Sequence, residues 1–321
     1  MKAGQIVARH QIEIVSVPDL SIADQPTGIL LVKPSRGAIC GSDIPYFTLQ
    51  HPSYPLPMGQ SLHECIGFVV DSKSSKFKEG DEVLSVPIGQ TGLAEYFISN
   101  DQLTVHLSPS DRLSEMLISQ PLGTVIWACR KLGNLIHQNV VVLGQGPMGQ
   151  MFNRFVSNLG AKTIIATDIL PYRLEVSKKM HATHTIDVSK ENLVEKVREI
   201  TNGQMADLVI EVVGHQTHTI NTCIDLVKRN GTILAFGVPD ESVYEDFRYG
   251  DLFRQNIRLI SSVIPDAQAD YPLAMDMIAQ NRIDVAPILT HHLSFDEAQY
   301  GFELFTFRQE EAIKVILDFE A

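Results

Sequence analysis

The four cysteines of this chain, Cys40, Cys65, Cys129 and Cys223, stand in no paired spacing. That argues against a disulfide framework and fits a reducing cytoplasm. No apolar run reaches the length of a membrane span. The first ten residues lack the apolar centre of a signal peptide and already alternate like a strand. Basic residues are in deficit, 26 Lys and Arg against 38 Asp and Glu, for a net charge of −12. This excludes the broad positive surface that nonspecific nucleic-acid binding or an anionic membrane would require. Charged low-complexity runs and internal repeats are also missing. What remains is a chain of 321 residues, 44% of them hydrophobic, long enough for two domains with sizeable cores.

Two sequence grammars divide it. Up to about Pro121, short runs at residues 12–17, 28–32, 66–71, 82–86 and 95–98 read as strands separated by breaks containing Pro, Gly and Ser. After Gly123 a helix is predicted over 125–135. Strands at 140–143, 163–167, 185–186, 207–213, 232–236 and 257–264 then alternate with helices that include 172–181, 191–201 and 217–226. Alternation of this kind builds a parallel sheet covered on both faces, so the fold class is α/β. The tail is expected to run helix, helix, strand over 267–281, 295–305 and 312–319.

The stretch that organises the second half is Val140-Val-Val-Leu-Gly-Gln-Gly-Pro-Met-Gly149. A buried strand ends in Gly144, Gly146 and Gly149, in the G-x-G-x-x-G spacing of a dinucleotide fold. Gly144 permits the tight turn, Gly146 the approach of a pyrophosphate, and Gly149 the packing of helix on strand. The helix that opens there offers free N–H groups to the pyrophosphate, and Pro147 suits its first turn. Met148 completes the loop. The next strand ends at Asp168, about 20 residues on, where a carboxylate accepts hydrogen bonds from the adenosine ribose and disfavours a 2′-phosphate. Arg173 follows on the next predicted helix.

Upstream, Cys40-Gly-Ser-Asp43 and Leu62-His-Glu64 hold the remaining chemistry. Thiolate, imidazole and carboxylate from Cys40, His63 and Glu64 form a plausible zinc set, with Asp43 able to orient His63. Taken singly, such residues serve packing as readily as a metal. The other histidines, His51 and His215 among them, stand in no motif.

The whole chain resembles the medium-chain dehydrogenase/reductase superfamily and, within it, the zinc-dependent alcohol and polyol dehydrogenases of the sorbitol-dehydrogenase type. The matching segments are 40–43, His63-Glu64 with Gly67, 77–83, 92–96, 140–149, Asp168, 211–214 and 236–239. The resemblance implies a GroES-like β-rich catalytic domain over 1–123, a Rossmann doubly wound nucleotide-binding domain over 124–265, and completion of the catalytic domain by 266–321. It implies one catalytic zinc between the domains, with Cys40 and His63 as ligands and Glu64 as a carboxylate that binds zinc in some members. Ser42 matches the hydroxyl that takes the substrate proton. Val213, Gly237 and Val238 match contacts to the nicotinamide half, and Lys314 a basic residue near the pyrophosphate. Tyr46 and Phe47 are candidates for the substrate pocket or, equally, for the core.

Four departures stand out. Residues 86–92 bridge the place of a second, structural zinc without a cysteine, so that zinc is expected to be absent. Leu62 replaces a glycine before His63. Pro45 replaces a histidine of related relays. Gln120 stands at the third-ligand position, where relatives carry Glu or Cys. The expectation is a zinc- and NAD-dependent oxidoreductase acting on an alcohol, polyol or sugar-type substrate. It is expected to be cytoplasmic and a homodimer or homotetramer joined through the edge strand at 257–264. The alternatives are a zinc-free reductase of the same superfamily and a non-catalytic dinucleotide-binding protein.

Overall fold

Alternating apolar residues up to His106 form seven strands: β1 (Lys2–Ala8), β2 (Gln11–Ser16), β3 (Ile29–Ala38), β4 (Glu64–Ser72), β5 (Glu82–Ser85), β6 (Phe97–Asn100) and β7 (Thr104–His106). Helices α1 (Ile44–Thr48), α2 (Leu113–Leu117) and α3 (Ser119–Arg130) lie among and after them. The structure, a computed structural model, describes residues 1–49, 54–214, 218–239 and 241–319. His51, His215 and the predicted helix start at 217 fall outside these.

The alternating region forms β8 (Asn139–Leu143), α4 (Pro147–Asn158), β9 (Thr163–Asp168), α5 (Pro171–Lys179), β10 (His184–Asp187), α6 (Leu193–Ile200), β11 (Ala206–Glu211), α7 (Thr219–Leu226), β12 (Val227–Ala235), α8 (Tyr249–Arg254) and β13 (Arg258–Ser261). Its six strands pair in parallel in the order β10-β9-β8-β11-β12-β13. Every residue of β8 and β9 is buried, as expected of central strands covered on both faces. This is the doubly wound order, whose reversal point opens a crevice beyond the carboxyl ends of the central strands. The first βα turn, at Gly144, lies at that end.

The tail comprises α9 (Ala267–Ala279), β14 (Leu289–Ser294), α10 (Ala298–Phe307) and β15 (Lys314–Asp318). It returns to the first sheet, ordered β14-β15-β3-β4-β5-β7 with β6 also on β3. Ala38 of β3 is flanked by Glu64 of β4 on one side and Ile316 of β15 on the other. The C-terminal strand is thereby pinned beside the Cys40 segment, with the Ile39 N–H donating to Val315 O. Phe47, Leu62, Phe97, Phe302 and Val315 share the core of this unit.

Two compact units result: Met1–Gly123 with Asp266–Asn281 and Leu289–Ala321, and Thr124–Pro265 with Arg282–Ile288. The tail therefore does not return as one piece, since residues 282–288 pack with the second unit. Two further differences from expectation are plain. The last parallel strand is only Arg258–Ser261, with Val263 and Ile264 exposed beyond it. Strand β14 was not expected, because only Leu289 and Leu293 in Leu-Thr-His-His-Leu-Ser are apolar.

Candidate active site and cofactor loop

Asp43 assembles the first site. Cys40 ends an extended stretch and a short 3₁₀ turn, Gly41–Asp43, follows. The Asp43 Oδ2 accepts the Cys40 N–H at 2.7 Å. Its Oδ1 accepts the Leu62 N–H at 2.8 Å and the Ser61 hydroxyl at 2.9 Å. One buried carboxylate thus ties the Cys40 turn to the segment that carries His63, and His63 Nδ1 lies 3.8 Å from Asp43 Oδ1. Burial works against the Asp43 charge, but His63 and the N–H groups of Cys40 and Leu62 hold its pKa below the ordinary value. For His63, burial opposes the charged ring, yet Asp43 and Cys40 raise its pKa well above the usual range.

Ligand atoms of Cys40, His63 and Glu64 all lie within 4.8 Å of one another. A tetrahedral zinc with bonds of about 2.0–2.3 Å spaces its donors about 3.5 Å apart, so a modest tightening suffices. The donor set and the surrounding electrostatics favour a cation here. The buried His63 Nδ1 has no hydrogen-bond partner, and neither does the buried Ser42 Oγ beside Cys40. These residues fit a zinc ion.

Lys314 is placed differently from expectation. Rather than offering a free cation to a pyrophosphate, it is buried in the first unit, with Nζ 2.7 Å from Glu64 Oε2 and donating to Ile39 O at 3.0 Å. Burial alone would lower the Lys314 pKa, but Glu64 and Cys40 raise it. Phe47 is a core residue and not a pocket wall, its ring 5.5 Å from that of Phe302, while Tyr46 is partly buried against the same core. Pro45 opens α1, a position where its missing N–H is harmless. Gln120 is buried in the first turn of α3, its Nε2 donating to the Tyr271 hydroxyl.

The second site is the glycine loop. Gly144 has φ +92°, and a Cβ at Gly149 would fall 1.9 Å from Gly144 O, so the helix can sit this close only without a side chain. At Gly146 the nearest atom to an added Cβ is Arg173 Nη1 at 3.9 Å, which leaves room above the start of α4. Pro147 and Met148 form that first turn. Asp168 is buried beneath the loop. Its Oδ2 accepts the Gln145 N–H and its Oδ1 those of Ile169 and Leu170, while Arg173 Nη1 stands 3.8 Å from Oδ2. The Gln145 side chain, gripped by Asn153 and Ser177, locks the loop from below.

Val213, Gly237 and Val238 come together at the carboxyl ends of β11 and β12. Glu211 arranges them. Its Oε1 accepts the N–H groups of Val213 and Gly214 and the Thr219 hydroxyl, and its backbone O accepts the Gly237 N–H. Sequence reasoning quoted Glu211 within a motif without giving it this task. The Glu64–Lys314 pair and the Gln120–Tyr271 bond were missed. Nothing local signals either, because each joins positions more than a hundred residues apart.

Residues 26–109 match the family model of the alcohol dehydrogenase GroES-like domain, and residues 147–280 that of the zinc-binding dehydrogenase. Among curated proteins, the L-threonine 3-dehydrogenase of Alteromonas mediterranea is 28% identical, over 91% of this chain and 92% of its own. Among solved structures, the alcohol dehydrogenase TADH from Thermus sp. ATN1 superposes with a TM-score of 0.88 at 24% identity, covering all of both chains. The L-idonate 5-dehydrogenase from Escherichia coli gives 0.81 at 22%, covering 99% of this chain and 98% of that one. These structural likenesses establish the fold.

Proposed function

From the premise that the chain belongs to the zinc-dependent medium-chain dehydrogenase/reductase superfamily, we propose that it transfers a hydride between the carbon of a secondary alcohol, polyol or sugar-type substrate and NAD. Oxidoreductase chemistry on alcohols or polyols comes with the superfamily. The choice of NAD, the substrate class and the residue roles are the proposal. The observation that carries it is the convergence of Cys40, His63 and Glu64 around the buried Asp43.

In this scheme Cys40 and His63 bind the metal, Asp43 orients His63, and Glu64 and Gln120 supply further oxygen donors. Zinc held there would supply Lewis acidity toward the alcohol oxygen, and NAD would be the hydride acceptor. Ser42, its buried Oγ without a protein partner, takes the substrate proton. The helix start at Gly146–Gly149 holds the pyrophosphate. Asp168 receives the ribose hydroxyls, with Arg173 at the same edge. Val213, Gly237 and Val238 border the nicotinamide half. The names of relatives support this substrate class, for they specify carbon 3 of threonine, carbon 5 of idonate and a 2,3-butanediol, each a secondary hydroxyl position.

A zinc-free reductase is the second reading. One observation favours it: the Lys314 ammonium already neutralises Glu64. A single experiment separates the two. Protein purified with added zinc is assayed for metal content and for NADH formation with a panel of secondary alcohols, polyols, sugar acids and 3-hydroxy amino acids. About one zinc per chain, with turnover lost on chelation and restored by zinc, is expected. Turnover without bound metal would establish the zinc-free reading instead.

A further inference from the structure

Gln120 and Tyr271 come from helices distant in sequence and meet inside the first unit. Both are buried, 6% and 3% exposed, and Gln120 Nε2 donates to Tyr271 Oη at 3.2 Å. Gly123 completes the arrangement. A Cβ there would come within 2.6 Å of Tyr271 Cδ1, so the ring lies against bare helix backbone. Three residues apart, Gln120 and Gly123 share one face of α3, which thereby offers a groove for the ring and a partner for the hydroxyl.

Burial pushes the Tyr271 pKa up to about 12 against the opposing hydrogen bond from Gln120, with the negative charge of Glu64 adding to the rise. The phenol oxygen lies within electrostatic reach of Glu64. The hydrogen bond to Tyr271 runs through the nitrogen of the Gln120 carboxamide and leaves its oxygen at the other end. A carboxamide is a donor at one end and an acceptor at the other, and an unanchored one presents either. With its nitrogen held by the phenol, the oxygen is the free end.

We propose that Tyr271 is a positioning residue whose hydroxyl holds the Gln120 carboxamide by its nitrogen and so presents the oxygen as a neutral donor to the metal of the Cys40–His63–Glu64 set. This rests on the zinc-dependent reading above. It gives a glutamine a defined role at a metal site, where an amide free to turn would be a poor and variable ligand. It also gives Gly123 a reason to be glycine.

The test compares wild type, Tyr271→Phe, Gln120→Ala and the double variant. Cobalt(II) serves as the spectroscopic probe, zinc loss to a chelator as the affinity probe and thermal melting as the control for folding. Tyr271→Phe keeps the ring in its groove and should melt within a few degrees of wild type. It should alter the visible cobalt absorption and speed zinc loss roughly tenfold. Gln120→Ala should act in the same direction, and adding Tyr271→Phe to it should change nothing further, because the hydroxyl works through the amide. An unchanged spectrum and unchanged zinc retention in Tyr271→Phe, or an effect that persists in the Gln120→Ala background, overturns the proposal. A wild type that binds neither metal overturns the zinc-dependent reading and this inference with it. Normal metal binding with a silent Tyr271→Phe overturns this inference alone.

Discussion

Leu62 holds a backbone conformation that glycine adopts freely. Its φ is +68°, and that of Ser61 is +98°. Side-chain-bearing residues in this region cost about 1–3 kcal/mol each, so the surroundings must hold them. Asp43 takes the Leu62 N–H and the Ser61 hydroxyl, Ser61 N–H donates to Gln90 O at 2.7 Å, and Leu62 O accepts the Gly92 N–H at 3.0 Å. The Leu62 side chain is fully buried in the core, so its packing offsets the strain. The two effects can be separated by substitution. Leu62→Ala loses about 2.7–5 kcal/mol of packing and keeps the strain. Leu62→Gly loses slightly more packing but relieves the strain. At an ordinary helix or strand position glycine is worse than alanine by about 0.5–1 kcal/mol. Here chemical denaturation should find Leu62→Gly at least as stable as Leu62→Ala, and a clear advantage for alanine would remove the strain argument. The sequence showed the glycine replaced but not the consequence. The buried hydrogen bonds that hold the turn come from Asp43, Gln90 and Gly92, and no window around position 62 contains them all.

At the level of elements, the glycine loop was the most legible part of the chain. Four apolar residues, three spaced glycines and an acid at the next strand end require only local geometry, and the structure places Asp168 directly beneath the loop. Less local features were not legible. β14 exists because β15 lies alongside to accept and donate its hydrogen bonds, not because its own residues prefer to be extended. The run 257–264 reads as one long strand because it is apolar, yet the paired register ends at Ser261, with a last bond from the Ser262 N–H to Ala235 O. The loop also carries a cofactor prediction that the structure sharpens. Asp168 fixes three backbone N–H groups and, on the function proposed above, also receives the ribose hydroxyls. Asp168→Ser should therefore have two effects. Loss of the carboxylate frees Arg173, now 3.8 Å away, to meet a 2′-phosphate, so kcat/KM for NADP should rise relative to NAD. Leaving buried N–H groups unpaired should also lower stability by about 1–3 kcal/mol. Steady-state kinetics with both cofactors and a thermal melt read these out, and comparable kcat/KM for NAD and NADP in the wild type would sink the assignment of Asp168.

At the level of the whole molecule, the nucleotide-binding sheet ends in an unguarded edge. β13 pairs on one side only, and around it Leu259, Val263 and Ile264 are 43%, 60% and 78% exposed, with Val238 also exposed nearby. Exposed strand edges bearing apolar side chains are aggregation hazards unless they are paired. A two-fold axis would let the same edge of a second copy pair with it, giving a closed assembly rather than an open chain. Among the described residues no helix is long and apolar enough to cross a membrane, so a lipid-embedded helix does not account for the patch. The net charge of −12 adds repulsion between copies that salt screens, so association should strengthen as ionic strength rises. Sedimentation at micromolar concentration should find a dimer or a dimer of dimers. Leu259→Glu with Ile264→Lys, both on exposed positions, should shift it to monomer while leaving the circular dichroism spectrum unchanged. Strictly monomeric wild type across the same range of salt would show that the edge is tolerated bare, and its apolar residues would then need another partner.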